Sequence, residues 1–196
     1  MKKNRALTKC IFLDRDGTII EDVDYLSTPS GVKILPGAAR GMELLKKDGY
    51  LLIIITNQSG VARGYFTEEN LAAIHRKMRK LLRAQGADYD DLFYCPHHIN
   101  GAVEPFNVEC DCRKPKTGLL QKAKDKYNID FSQSFFVGDM EGDIKAGKTA
   151  GCRTVLIESP KNAGADLKEK ADYYARNLLE AARLIVNIGG KRSSGS

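Results

Sequence analysis

Short apolar runs alternate with stretches of helical spacing along most of the chain. Cys10-Ile11-Phe12-Leu13 is an apolar run that stops at Asp14. Leu51 to Ile55 is an unbroken aliphatic run, the pattern of a strand buried on both faces of a parallel sheet. Leu92 to Tyr94, Phe135 to Val137 and Thr154 to Ile157 read as further strands. Helical segments lie between them. Ala38 to Asp48 is one, with Pro36-Gly37 before it and Gly49 as its stop. Thr67 can cap a long helix to about Gln85, and Thr117 a helix to about Tyr127. A short helix is expected from about Asp143 to Ala150. Asn177, with Glu180 three positions on, resembles the capping box of a last helix ending near Asn187.

This alternation predicts an α/β fold, a three-layer doubly wound parallel sheet with helices on both faces. Ligands in such sheets bind beyond the carboxyl ends of the strands. Polar residues gather at those ends: Asp14 and Asp16 after the first strand, Thr56 and Asn57 after the second, Asp139 after the fourth. No linker or repeat divides the chain. Residues 1–188 read as a single domain, and the Gly/Ser-rich stretch 189–196 as a disordered tail.

Composition narrows the class. With 196 residues, 42% hydrophobic and 29% charged, the chain can bury an ordinary core. No apolar run approaches the roughly 20 residues of a membrane helix. Met1 to Lys9 is basic but lacks the apolar stretch of a signal peptide. A cytoplasmic protein without a membrane partner is expected. The net charge of +6 sits partly in Lys2, Lys3, Arg5 and Lys9 and in Lys191 and Arg192. No basic stripe is interleaved with aromatic residues and Trp is absent, so nucleic acid is not the expected partner. A mildly basic protein suits anionic metabolites.

The first chemical motif is Asp14-Arg15-Asp16-Gly17-Thr18, directly after an apolar strand. Gly17 lets the chain bend so that both carboxylates can face one site. A carboxylate beside Mg²⁺ can attack phosphorus once cations neutralise the repulsion between anions. The second could protonate the leaving oxygen and then activate water. A lone Asp-x-Asp is ordinarily a capped turn, but the full five-residue pattern is far more specific.

Five cysteines, an odd count, argue against a disulfide framework. Cys95-Pro96-His97 and Cys110-Asp111-Cys112 supply three thiols and an imidazole, a donor set that suits a closed, structural Zn²⁺ site. His98 is an alternative imidazole at nearly the same spacing. Such a metal would pin the loop 95–112 and fix Arg113 and Lys114 directly after it. Cys10 and Cys152 flank or enter strands and read as core, and His75 as a surface or satisfied helix residue.

Asp14-Arg15-Asp16-Gly17-Thr18 resembles the signature of the haloacid dehalogenase (HAD) superfamily in its phosphatase form. Three further stretches resemble its other motifs, in order: Ile53 to Gln58, Arg113-Lys114-Pro115, and Gly138-Asp139 with Asp143. The resemblance implies Asp14 as nucleophile, Asp16 as general acid/base, and Thr56 and Lys114 on the phosphoryl group. It also implies Mg²⁺ on Asp14, the Asp16 backbone carbonyl and Asp139, with Asp143 in support. The cysteine loop followed by Arg-Lys-Pro is similar to that of the D,D-heptose 1,7-bisphosphate phosphatases and the histidinol-phosphate phosphatases, its length favouring the former. Met140 departs from that group, where Lys often follows the motif aspartate.

By the same resemblance, Asp22 and Tyr25 lie in a substrate-contacting flap, and Thr56, Asn57, Gln58 and Ser59 touch substrate with Lys114. Arg113 is the candidate for a second phosphate, since a guanidinium grips phosphate as a fork. The spacing between motifs leaves no room for a large cap domain. The expected activity is removal of the 7-phosphate of D-glycero-D-manno-heptose 1,7-bisphosphate, toward ADP-heptose and lipopolysaccharide, by a monomer. The alternatives are histidinol-phosphate hydrolysis and a zinc-ribbon binding module, the latter leaving the aligned acidic motifs without a purpose.

Overall fold

A computed structural model describes residues 7–162 and 166–193. Lys2, Lys3 and Arg5, and the last three residues of the expected tail, lie outside them. The strands are β1 (Cys10–Leu13), β2 (Leu51–Asn57), β3 (Asp91–Cys95), β4 (Phe135–Gly138), β5 (Arg153–Ile157) and β6 (Tyr173–Ala175). The α-helices are α1 (Ala38–Lys47), α2 (Glu68–Ala84), α3 (Gly118–Tyr127), α4 (Glu141–Ala150) and α5 (Leu178–Ser193). The strands form one sheet in the order β3-β2-β1-β4-β5-β6, with every pairing parallel.

All four residues of β1 are buried, as its unbroken apolar run requires of a strand covered on both faces. Period-two alternation sorts the side chains. Ile11, Leu13, Leu52, Ile54, Phe135 and Val137 pack with Met42 and Leu45 of α1, Ile74 and Met78 of α2, and Ala181 and Ile185 of α5. Cys10, Phe12, Ile53, Ile55 and Phe136 pack on the opposite face with Leu119, Leu120 and Ala123 of α3 and Ala146 of α4. The result is the three-layer doubly wound sheet, and no separate cap domain is present among the described residues. No helix among them is long and apolar enough to cross a membrane.

The chain runs outward from β1 to β3, then returns to place β4 against the other edge of β1. The crossover directions diverge there, which opens a crevice beyond the carboxyl ends of β1 and β4. Asp14 follows β1 and Asp139 follows β4, so both motif carboxylates arrive at that crevice.

Local details depart from the sequence reading. β6 is an additional edge strand, only three residues long and following a lysine-rich turn, too brief to show alternation. Helix α5 continues past Asn187 through the glycines to Ser193, so the expected tail begins as helix. Gly189 lies in that helix against the end of α1, where a Cβ would be 3.5 Å from Tyr50 Oη. Glycine weakens a helix but does not forbid it where packing supports the turn. Thr67 caps α2 in a reciprocal box with Asn70. Thr117 makes no side-chain cap; Gly118 N–H instead donates to Asp111 O at 2.9 Å, tying α3 to the cysteine loop. Asn177 Oδ1 accepts from Glu180 N–H, but the Glu180 carboxylate turns to Arg176, leaving the box half closed.

Candidate active site

The crevice is lined by a knot of buried charge. Lys114 Nζ donates to Asp14 Oδ1 at 2.6 Å and to Ile55 O at 2.8 Å, and pairs with Asp143 Oδ1 at 2.6 Å. An ammonium has three donors, so this one is fully engaged. Burial opposes its charge, yet Asp14 and Asp143 together hold it above the ordinary lysine range. Burial also holds the Asp14 carboxyl well above the usual carboxylate range, against the pull of Lys114 and helped by repulsion from Asp143, Asp139 and Asp16.

Asp139 is fully buried, and among the described residues neither of its carboxylate oxygens meets a hydrogen-bond partner. Burial first, and Asp143 next, push its pKa up to about 7. Asp14, Asp139 and Asp143 each offer an oxygen within 4.8 Å of the others. Three carboxyl groups share one ammonium here, and such a set of hard oxygen donors suits a divalent cation, whose charge would favour their ionised forms. Gly17 makes the crowding possible: its φ is +75°, and a Cβ there would collide with the Asp139 carboxylate. Asp143 is fixed from its own helix, Met140 N–H donating to its Oδ2 at 3.0 Å. The residue at 140 therefore contributes through its backbone, while the Met side chain stays exposed.

The Asp16 side chain stands apart from that group. Arg15 and Gln58 hold it, with Gln58 Nε2 donating to Asp16 Oδ2 at 2.9 Å and to Thr56 Oγ1 at 2.8 Å. Asn57 is committed elsewhere. Its Nδ2 donates to Lys114 O and its Oδ1 accepts from Lys114 N–H, at 3.1 and 3.0 Å. The side chain therefore clamps the backbone of Lys114 from a position 57 residues away.

A cleft of about 400 Å³ opens onto these groups. Asp14, Asp16, Thr56 and Lys114 line it, and so do Asp22, Tyr25, Asn57, Gln58, Ser59 and Arg113. Asp139 lines an adjoining cavity instead, behind the flap. The flap is held on two sides. Tyr25, at φ 53°, packs edge-on against Tyr65 with centroids 4.5 Å apart. Lys161, from the turn after β5, pairs with Asp22 at 2.6 Å and Asp24 at 3.2 Å. Lys161 lines the cleft and was not singled out by its sequence context, a lysine between Pro160 and Asn162.

Cys95, His97, Cys110 and Cys112 come together beside the cleft, with donor atoms within 4.8 Å of one another. The sulfur separations are 3.0, 3.2 and 3.5 Å, and His97 Nδ1 lies 3.2 Å from Cys112 Sγ. Burial and the neighbouring sulfurs hold the Cys112 thiol well above its usual range, while at Cys110 burial is outweighed by hydrogen bonds from Cys112 and Cys95, which bring that thiol below its own. His98 is turned away, its Nε2 3.0 Å from Arg63 Nη2. Arg113, next after Cys112, reaches back to His97 O at 3.4 Å. The cluster and the cleft thus share one short segment. Cys10 and Cys152 are buried in the core.

A HAD-hydrolase-like family model matches residues 111–181. A D-glycero-beta-D-manno-heptose-1,7-bisphosphate 7-phosphatase of Pasteurella multocida is 41% identical over 183 residues, covering 93% of this chain and 99% of that protein. The Escherichia coli K12 protein of the same name is 39% identical over 176 residues, covering 89% and 92%. A crystal structure of D,D-heptose 1,7-bisphosphate phosphatase from B. bronchiseptica, complexed with magnesium and phosphate, superposes with a TM-score of 0.80 at 32% identity, over 92% of this chain and 99% of that one.

Proposed function

Since this chain belongs to the D-glycero-β-D-manno-heptose-1,7-bisphosphate 7-phosphatases, a family of HAD-like phosphatases, we propose that it hydrolyses the 7-phosphate of D-glycero-D-manno-heptose 1,7-bisphosphate to give heptose 1-phosphate. One observation carries the chemistry: Asp14 lies buried against Lys114, next to an Asp139 carboxylate that has no hydrogen-bond partner among the described residues.

Magnesium, when bound, would offset the negative charge of the carboxylates and of the phosphoryl group. Asp14, Asp139 and the backbone carbonyl of Asp16 would hold it, with Asp143 in support. The protein groups do the rest. An Asp14 oxygen attacks phosphorus, the bond from phosphorus to the C7 oxygen breaks, and Asp16 protonates that oxygen. Asp16, now a carboxylate, takes a proton from water as the water attacks the aspartyl phosphate. The bond to Asp14 breaks and inorganic phosphate leaves. Thr56 and Lys114 stabilise the transferring group. Asn57 keeps Lys114 in place, and Gln58 holds Asp16. Arg113 meets the second phosphate, and Asp22, Tyr25 and Ser59 border the sugar.

The cysteine cluster is proposed as a structural Zn²⁺ site. Three thiols and an imidazole, the sulfurs already 3.0–3.5 Å apart, form a donor set that would suit this metal. Four protein donors leave no open position, and the metal would act by fixing Arg113 and Lys114. The reaction is assigned to the cytoplasm and to a monomer, on the path to ADP-heptose.

The test is phosphate release by purified protein with Mg²⁺ from both heptose bisphosphate anomers, histidinol phosphate and common sugar phosphates. The relatives are named for the β anomer, which is the first to try. Preference for histidinol phosphate would overturn the substrate assignment. Persistent turnover in Asp14→Asn would overturn the nucleophile.

A further inference from the structure

Arg15 sits between the two motif carboxylates and has no part in the steps above. Its side chain is nevertheless fully buried, with 1% exposure. A guanidinium does not lose its charge in a protein, so a buried one needs acceptors. Here Nε lies 3.1 Å from Asp16 Oδ2 and 3.2 Å from Oδ1, and Nη2 lies 2.9 Å from Oδ1. Nη2 also donates to Gln58 Oε1 at 2.9 Å. Nη1 meets His75 Nε2 at 3.1 Å. Arginine only donates, so His75 Nε2 must accept and the ring proton must sit on Nδ1. Burial, with the charge of Arg15 second, holds the His75 pKa down at about 3, which keeps the ring a neutral acceptor.

The guanidinium has five N–H groups, and four are committed in this way. The one that remains cannot form a fork on a substrate phosphate. Two of the four go to Asp16, whose side chain keeps 21% exposure at the cleft, one to Gln58 and one to His75. Arg15 at the end of β1 and Gln58 at the end of β2 hold that carboxylate directly, and His75 of α2 acts on it only through Arg15.

We infer that Arg15 is a positioning residue for proton transfer by Asp16, with His75 as its brace. The inference rests on the acid/base role proposed for Asp16. Lysine at this position would keep the charge but lose the two-edged grip.

Arg15→Lys tests it with two leaving groups. An alkyl phosphate such as heptose bisphosphate needs a proton delivered to its leaving oxygen, while p-nitrophenyl phosphate does not. With the bisphosphate, kcat should fall about 100-fold with KM within about threefold, the range general acid/base catalysis supplies. With p-nitrophenyl phosphate, nitrophenolate should appear as a burst near one per active site, followed by slow turnover, because aspartyl phosphate hydrolysis still needs Asp16. The burst amplitude counts folded sites, so misfolding lowers the amplitude without changing this pattern. Equal losses on both substrates with no burst, or a raised KM with kcat unchanged, would overturn the inference. Should Arg15→Lys not fold, His75→Phe removes the brace alone and should give the same pattern at about tenfold; no change in the ratio of the two substrates overturns it there. An active Asp14→Asn would sink the underlying phosphatase reading, whereas an inactive one beside a normal Arg15→Lys sinks only the role of Arg15.

Discussion

Asp139 gives the sharpest energetic test. An unfolded aspartate ionises near pH 3.9, and burial together with Asp143 moves this one to about 7. Below about pH 4 the carboxyl is protonated in both states and contributes nothing. Between 4 and 7 the unfolded chain ionises first and stability falls; above 7 the penalty is complete. At 1.36 kcal/mol per pH unit that penalty is about 4 kcal/mol in the magnesium-free protein. Asp139→Asn removes the charge and leaves an unpaired buried amide, which costs about 1–3 kcal/mol. The variant should therefore be more stable than the parent at pH 8 without magnesium, by about 1–3 kcal/mol, and less stable at pH 4. Urea unfolding at pH 8, 6 and 4 in magnesium-free buffer measures this. A second titration with Mg²⁺ should raise the parent's stability, since a ligand of the native state stabilises by mass action, and leave the variant unmoved. A variant less stable than the parent at pH 8, or equally stabilised by Mg²⁺, would refute the account of Asp139 as a carboxylate held against its own charge for a cation.

Cys110→Ser should abolish stoichiometric metal retention at the cysteine cluster, lower the melting temperature and reduce kcat through the adjoining Arg113 and Lys114; metal analysis of purified protein decides, and full retention would count against the site. His75→Gln should flatten the acid limb of stability. The neutral ring stabilises the fold fully above its unfolded pKa of about 6.5 and loses that contribution as pH falls toward about 3, so between pH 7 and 5 the parent should lose about 2 kcal/mol more than the variant, read from urea midpoints. Lys161→Ala frees the flap from two partly exposed ion pairs, and KM should rise about two- to fivefold with kcat nearly unchanged, as steady-state kinetics will show.

The strands that carry the site were legible in the sequence because burial on both faces leaves a local trace. Cys10 to Leu13 and Leu51 to Ile55 had to be apolar throughout, and the polar residues that end them mark where the sheet meets solvent. The motif residues and the four metal-binding candidates of the cysteine loop were legible for a similar reason: their spacing is short and their chemistry is restrictive. Tyr173 to Ala175 left no such trace, since three residues at a sheet edge are too few for a period.

What only the tertiary structure decided lies in pairs distant along the chain. Nothing near Asn57 indicates that its amide holds the Lys114 backbone, nothing near His75 that it braces Arg15 from 60 residues away, and nothing near Lys161 that it fastens the flap at Asp22. A side chain's type limits which bonds it can make, and local pattern limits the element it sits on. Which partner fills those bonds depends on how the elements stack around the junction of β1 and β4, and that arrangement exists only once the sheet is assembled.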